Sequence, residues 1–143
     1  MSYTNVQSSP MRCANTVNAD QLKRDIADGK LAQYSLYVPD LDNDGHDKGV
    51  GFAAKWLQNT FAPIFKDPRF MKDMLVVVTF DEDDYHHDNH IYTVLLGDSV
   101  RPGTKSDTRY DFFSLLRTIE ETFALGTLGK NDAKATPISD VWK

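Results

Sequence analysis

The chain predicts an α/β fold, with a small mixed sheet of about three strands packed by helices. Three observations carry this. Helical and strand periodicities alternate in the order helix, strand, helix, strand, strand, helix. A helical crossover joins the first two strands, which predicts a parallel, right-handed unit. Only a short polar turn near 84–89 separates the second and third strands. Parallel neighbours need a longer crossover, so that pair is expected as an antiparallel hairpin.

Residues 1–16 carry Ser, Thr, Asn and Pro without periodicity, and predict a flexible N-terminal arm ahead of a single α/β domain over 17–143. A helix starts at Asn18-Ala19-Asp20-Gln21. Asn18 is its cap, Gln21 sits at the capping-box position, Leu22 and Ile26 lie one turn apart, and Gly29 ends it. Gln33-Tyr34-Ser35-Leu36-Tyr37-Val38 is a short aromatic and aliphatic strand stopped by Pro39. The next helix runs from Val50 to about Phe65, its stripe drawn by Ala53, Trp56, Leu57, Thr60, Phe61 and Ile64. Pro63 kinks or ends it, and Lys66-Asp67-Pro68 turns out of it.

Leu75 and three valines, closed by Thr79 and Phe80, have the β-branched pattern of a strand buried on both faces. A third strand spans His90 to Gly97, and Arg101-Pro102-Gly103-Thr104 forms a surface loop. Tyr110 to Phe123 is a second strong helix, with Phe112, Leu115, Leu116, Ile119 and Phe123 on one face and Gly126 past its end. The tail is polar until Ile138, Val141 and Trp142, which are expected to dock back on the body.

At 143 residues, 41% hydrophobic and 26% charged, the chain has the size and composition of one soluble globular domain. A net charge of −5 and a pI of about 5.2 argue against a broad nucleic-acid surface. Cys13 is the only cysteine, so no internal disulfide and no CxxC metal clip can form, and no nearby His supports it as a nucleophile. No apolar run approaches the ~20 residues of a membrane span. The opening MSYTNVQSSP is too polar for a secretory signal, which gives the expectation of an intracellular chain or a piece of a longer one.

The valine strand ends abruptly in Asp81-Glu82-Asp83-Asp84. Carboxyl ends of buried strands in open α/β sheets are where ligands bind, and adjacent carboxylates suit a hard or borderline cation. Taken alone, four carboxylates are equally consistent with a solvated acidic turn. His86, His87, His90 and Asp88 add suitable ligand types without a strict spacing motif. Asp40-x-Asp42-x-Asp44-Gly45 matches the opening of an EF-hand loop, but loop position 12 is Gly51 rather than Glu and a strand precedes it. A solvated Asp/Asn turn is the better reading there. His46 lies between Gly45 and Asp47 beyond the strand end. Asp47 is placed to fix its tautomer and leave the other nitrogen for a phosphate, a leaving group or a metal, although a surface His beside an Asp is more often inert. No GxSxG, Walker loop or GxGxxG is present.

Several ordered segments resemble the fungal phosphoesterase family, which groups acid phosphatases with phospholipase C-type enzymes in the alkaline-phosphatase-like superfamily. They are Gln33 to Asp40, Asn43-Asp44-Gly45-His46-Asp47, Lys66 to Phe70, Thr79-Phe80-Asp81-Glu82, Asn89 to Gly97 and Leu115 to Glu120, within a resemblance covering about residues 12–140. The resemblance implies the C-terminal part of a metal-dependent α/β sandwich. It implies that Asp81 and Glu82, with His90 as a further ligand, bind a divalent metal whose identity stays open. It further implies that His46 contacts the substrate phosphate or assists the leaving group, oriented by Asp47. The chemistry is phosphoester hydrolysis, in which a hydroxyl nucleophile held by the metal attacks phosphorus and the cation and histidine stabilise charge on the oxygens.

Two departures stand out. Family members supply a nucleophilic Thr or Ser and an acidic–amide ligand pair from an N-terminal half, and Thr4, Ser8, Ser9 and Thr16 sit in no matching context. Relatives often show His-Tyr where this chain has Phe112-Phe113. The expectation is a truncated phosphoesterase with a partial metal- and phosphate-binding site, acting on phosphomonoesters or phosphodiesters. The alternative is a non-catalytic binding protein that keeps this part of the fold. Expected partners are a phosphoester small molecule or a phospholipid head group, with no nucleic acid. A homo-oligomer or partner chain is expected to cover the exposed strand edges. Localisation stays open, because members of the family are typically secreted.

Overall fold

A computed structural model describes residues 3–143, which form a mixed α/β chain with six α-helices and one two-stranded antiparallel sheet among the described residues. It divides into two compact units, Met1–Phe70 and Met71–Lys143. Among the described residues no helix is long and apolar enough to cross a membrane.

The first unit opens with two single-turn helices, α1 (Thr4–Gln7) and α2 (Pro10–Cys13). Met1 and Ser2 of the expected arm lie outside the described residues. Pro10 occupies the first turn of α2, where its missing N–H costs nothing. Helix α3 (Ala19–Asp28) lies where the sequence places it, but Asn18 makes no side-chain cap. Gln21 does not reach back to complete a capping box. Its Nε2 donates instead to the Asp25 carboxylate at 2.7 Å, one turn ahead, because a charged acceptor at i+4 outcompetes a backbone group. Gly29 ends α3 at φ 65°, with the Lys30 N–H on the Asp25 carbonyl at 2.8 Å.

Residues 33–38, expected as a strand, form no ladder, and the parallel unit built on it is absent from the described residues. A strand exists only through a neighbour's N–H and C=O groups, and the described pairing joins only 75–79 to 93–97. Tyr37 nevertheless packs against Trp56 and Phe61, with ring centroids 5.9 and 5.2 Å apart, while Tyr34, Leu36 and Val38 point to solvent. Helix α4 (Gly49–Phe65) buries the expected stripe, with Ala53 most enclosed and Trp56, Phe61 and Phe65 in successive ring contacts of 5.7 Å. Pro63 does not end α4; it lies inside its last turn. A short helix, α5 (Pro68–Met71), closes the unit into the next.

In the second unit, β1 (Leu75–Thr79) pairs antiparallel with β2 (Thr93–Gly97), as the short intervening turn requires. The strand β2 begins at Thr93 rather than His90. Val76, Val77 and Val78 are half-buried rather than covered on both faces, since two strands give each valine few neighbours. Gly97 faces Leu75 so closely that a Cβ would collide with the Met74 carbonyl oxygen. Helix α6 (Phe112–Thr122) is capped by Asp111, whose carboxylate accepts the Ser114 N–H at 2.9 Å. The chain reverses at Ala124, φ 53°, with the Leu125 N–H on the Glu120 carbonyl, before Gly126 is reached.

The tail docks as its apolar residues foretell. Ile138 and Val141 are buried, and the Ile138 N–H donates to Thr118 Oγ1 of α6 at 2.9 Å. The Trp142 indole donates to the Ile138 carbonyl, and Val100 bridges Trp142. Asp140 gathers the hydroxyls of Ser106, Thr108 and Tyr110. A short 3₁₀ turn, Asn131–Lys134, is organised by the buried Asp132, which accepts the N–H groups of Leu128 and Lys130.

Candidate metal and phosphate site

The hairpin delivers five carboxylates to one loop. Leaving β1, the chain passes from Asp81 to Asn89 around an open depression lined by Asp81, Glu82, Asp83, Tyr85, His86, Asp88 and Asn89. Asp83 organises this loop. Its Oδ1 accepts the Tyr85 N–H at 2.8 Å, and its Oδ2 accepts those of His87 and Asn89 at 2.8 and 3.0 Å. Asn89 returns the contact through Oδ1 on the Asp83 N–H. These bonds hold Tyr85, Asp88 and Asn89 at positive φ (66°, 52° and 56°), a conformation a free loop of these residues resists. Desolvation is the largest single influence on Asp83 and pushes its carboxyl up, yet the three backbone donors together bring it below its ordinary value.

Glu82 and Asp84 are also engaged. Glu82 Oε1 accepts the Tyr85 hydroxyl at 2.9 Å, which raises the phenol above its ordinary value. Asp84 Oδ1 lies 2.8 Å from His87 Nδ1, and that hydrogen bond lowers the Asp84 carboxyl against the opposing effect of desolvation. Asp83, Asp84 and His87 each offer a ligand atom, all within 4.8 Å of one another. Two carboxylates and an imidazole suit a borderline divalent ion. Sequence reasoning placed the ion on Asp81, Glu82 and His90. Asp81 and Glu82 line the neighbouring depression, and the His90 N–H bonds the His87 carbonyl, but the three are not among the converging ligand atoms. The Asp-Asp-x-x-His spacing was visible; that a turn would fold Asp84 and His87 onto each other was not.

In the first unit, His46 Nδ1 lies 2.7 Å from Asp47 Oδ1, both side chains largely open to solvent. With the carboxylate as acceptor, the imidazole proton belongs on Nδ1. The loop before it staples itself. Asp40 Oδ1 accepts from the Asn43 backbone and side chain, and Asp44 Oδ1 accepts the His46 N–H at 2.8 Å. Lys48 Nζ reaches Asp42 at 2.9 Å, and this hydrogen bond raises the ammonium above its ordinary value. Asp40, Asp42 and Asp44 therefore serve the turn that presents His46, and this is not an EF-hand.

Residues 3–126 match the family described as the Phosphoesterase family. The chain is 37% identical over 143 residues to a probable acid phosphatase of Kluyveromyces lactis, covering 97% of this chain and 34% of that protein. It is 34% identical over 137 residues to an acid phosphatase of Aspergillus fumigatus, covering 93% of this chain and 31% of the relative. A phosphatidylinositol-3-phosphatase of Mycobacterium tuberculosis is 36% identical over 112 residues, 78% of this chain and 36% of its own length. The chain thus spans about a third of the length of the curated relatives it matches. No solved structure matches it.

Proposed function

Because the chain belongs to the phosphoesterase family, we propose that it carries part of a metal-dependent site for hydrolysing phosphomonoesters or phosphodiesters. The observation that supports this most is the loop after β1, where Asp83, Asp84 and His87 converge beside Asp81 and Glu82. Asp81 and Glu82 take the divalent ion in this reading, with His90 as a further ligand and Asp84 and His87 within the same loop. When bound, the ion supplies Lewis-acid stabilisation of charge on the phosphoryl oxygens. His46 keeps its Nδ1 proton on Asp47 and directs its ring at a phosphoryl oxygen or the leaving group. Asp47 stabilises the imidazolium that results.

The substrate class runs from a small phosphoester to a phospholipid head group, in keeping with relatives named as acid phosphatases and as a phosphatidylinositol-3-phosphatase. The attacking hydroxyl and the remaining metal ligands come from outside these residues. A further strand, from another chain or a second copy, lies beside 33–38 and completes an alkaline-phosphatase-like sandwich. One observation favours the alternative of a non-catalytic binding protein. Both Asp83 oxygens and one Glu82 oxygen are already hydrogen-bonded within the loop, which therefore keeps its shape through its own groups.

The test is hydrolysis of an aryl phosphomonoester and an aryl phosphodiester across pH with added divalent metals, alongside calorimetric titration of Mn²⁺ and Zn²⁺. His46→Ala and Asp81→Ala are each expected to lower the rate by ~10²-fold or more, and Asp81→Ala also to weaken metal binding. Metal bound without turnover moves the protein to the binding reading. No metal bound by the wild type removes the site.

A further inference from the structure

Tyr85 stands in the loop after β1 and is 82% exposed, so packing does not hold its ring in place. Two carboxylates of the loop do. Asp83 Oδ1 accepts the Tyr85 N–H at 2.8 Å and fixes the residue at φ 66°, in the left-handed region that bulky side chains seldom adopt. Such a backbone persists only where its surroundings impose it, and residues of this kind gather at functional sites. From there the phenol hydroxyl turns back three residues and donates to Glu82 Oε1 at 2.9 Å. Glu82 is itself exposed, and this bond takes only one of its two oxygens. Both residues line the open depression together with Asp81. A glutamate on the surface is free to turn about three side-chain torsions, and immobilising it opposes the binding of an ion.

We propose that Tyr85 is a positioning residue, whose hydroxyl orients Glu82 so that the second carboxylate oxygen is presented to a divalent cation in the depression. This rests on the reading of Asp81 and Glu82 as ion ligands and adds the group that holds one of them ready. Carboxylates that ligate metals are themselves hydrogen-bonded, and losing such a partner lowers metal affinity by about 10- to 100-fold. A phenol suits the task. It carries no charge to repel the ion, and its single O–H engages one oxygen and leaves the other open. In this role Tyr85 touches neither the substrate nor the ion and acts only through Glu82.

The experiment is calorimetric titration of the full chain with Mn²⁺ and with Zn²⁺. Tyr85→Phe keeps the ring and deletes only the hydroxyl, and should weaken binding about tenfold or more, while Tyr92→Phe leaves it at the wild-type value. Glu82→Ala should weaken binding as well. Adding Tyr85→Phe to Glu82→Ala should then cost nothing further, because the hydroxyl has lost the group through which it acts. Carbon-detected NMR of the tyrosine Cζ atoms should show the Tyr85 signal, the one missing from Tyr85→Phe, moving on addition of Zn²⁺. Thermal unfolding of the metal-free Tyr85→Phe chain should match wild type, which separates lost affinity from lost folding. Binding that Glu82→Ala weakens and Tyr85→Phe does not would overturn the inference and leave the metal reading standing, as would losses that add in the double variant. No ion bound by the wild type, or binding indifferent to Glu82→Ala, would remove the ion from Glu82 and this inference with it.

Discussion

Replacing Thr118 by valine isolates the bond that fastens the C-terminal tail to α6. Thr118 Oγ1 donates to the Ser114 carbonyl at 2.8 Å and accepts the Ile138 N–H at 2.9 Å, and both bonds are buried. Valine keeps the shape and helix propensity to within a few tenths of a kcal/mol. The Ser114 carbonyl keeps its intrahelical partner, so one group alone is orphaned, the Ile138 N–H. Leaving a buried backbone donor unmade costs about 1–3 kcal/mol. With a urea dependence of about 1–3 kcal/mol/M, the unfolding midpoint should fall by roughly 1 M. The tail carries its own reporter, because Trp142 donates its indole N–H to Ile138. Urea unfolding followed by fluorescence in a Trp56→Phe background therefore reads this contact. Thr118→Ser keeps the hydroxyl and loses one methyl, worth about 0.8 kcal/mol. Thr122→Val removes a hydroxyl bonded only to the Thr118 carbonyl, and should stay within about 0.5 kcal/mol of wild type. An unchanged midpoint for Thr118→Val, or a larger loss for Thr118→Ser, would refute the argument.

Gly97→Ala should destabilise by about 1–3 kcal/mol, because the new methyl meets the carbonyl oxygen of Met74, the residue just before Leu75, to which Gly97 is paired; denaturant unfolding that matches wild type would show that the hairpin yields there. Asp67 accepts hydrogen bonds from the Arg69 side chain and then from the Arg69 N–H, which hold its carboxyl down at about 2. Since the folded value is depressed, the stability it contributes is fully present above the ordinary carboxylate value of roughly 3.9 and is lost as pH falls through about 2. Carbon-detected titration should find that midpoint and see Arg69→Ala return it toward the ordinary range. A wild-type midpoint near 4 would mean that the Asp67–Arg69 fork does not persist in solution.

Much of the architecture was legible because it rests on local chemistry. The α4 stripe from Ala53 to Ile64 is a matter of 3.6-residue spacing, and the half-buried set in the structure follows it residue by residue. Gly29 ends α3 because few other residues tolerate its left-handed backbone, and the short turn after β1 forces an antiparallel partner. The acidic end of β1 and the His46–Asp47 pair were likewise readable, since both depend on neighbours in sequence. That 33–38 forms no ladder among the described residues was not legible, because a strand's hydrogen bonds depend on the backbone that lies beside it, and nothing in six residues specifies that neighbour.

What the sequence determined by itself was the family's signature segments, the three longer helices α3, α4 and α6, the hairpin and the residue types at the site, but not the single turns α1, α2 and α5. Only the tertiary structure decided which of those types meet. The loop from Asp81 to His90 offers five acidic groups and three histidines, and their periodicity ranks none above another. Three backbone N–H groups closing on Asp83 settle the matter, because they fix the turn that brings Asp84 onto His87. Nor does a helical repeat reveal that Thr118 finds a donor twenty residues away while Oε2 of the buried Glu120, two residues on, finds none. Hydrogen-bond satisfaction is a property of what surrounds a side chain in space, and that is set by the fold.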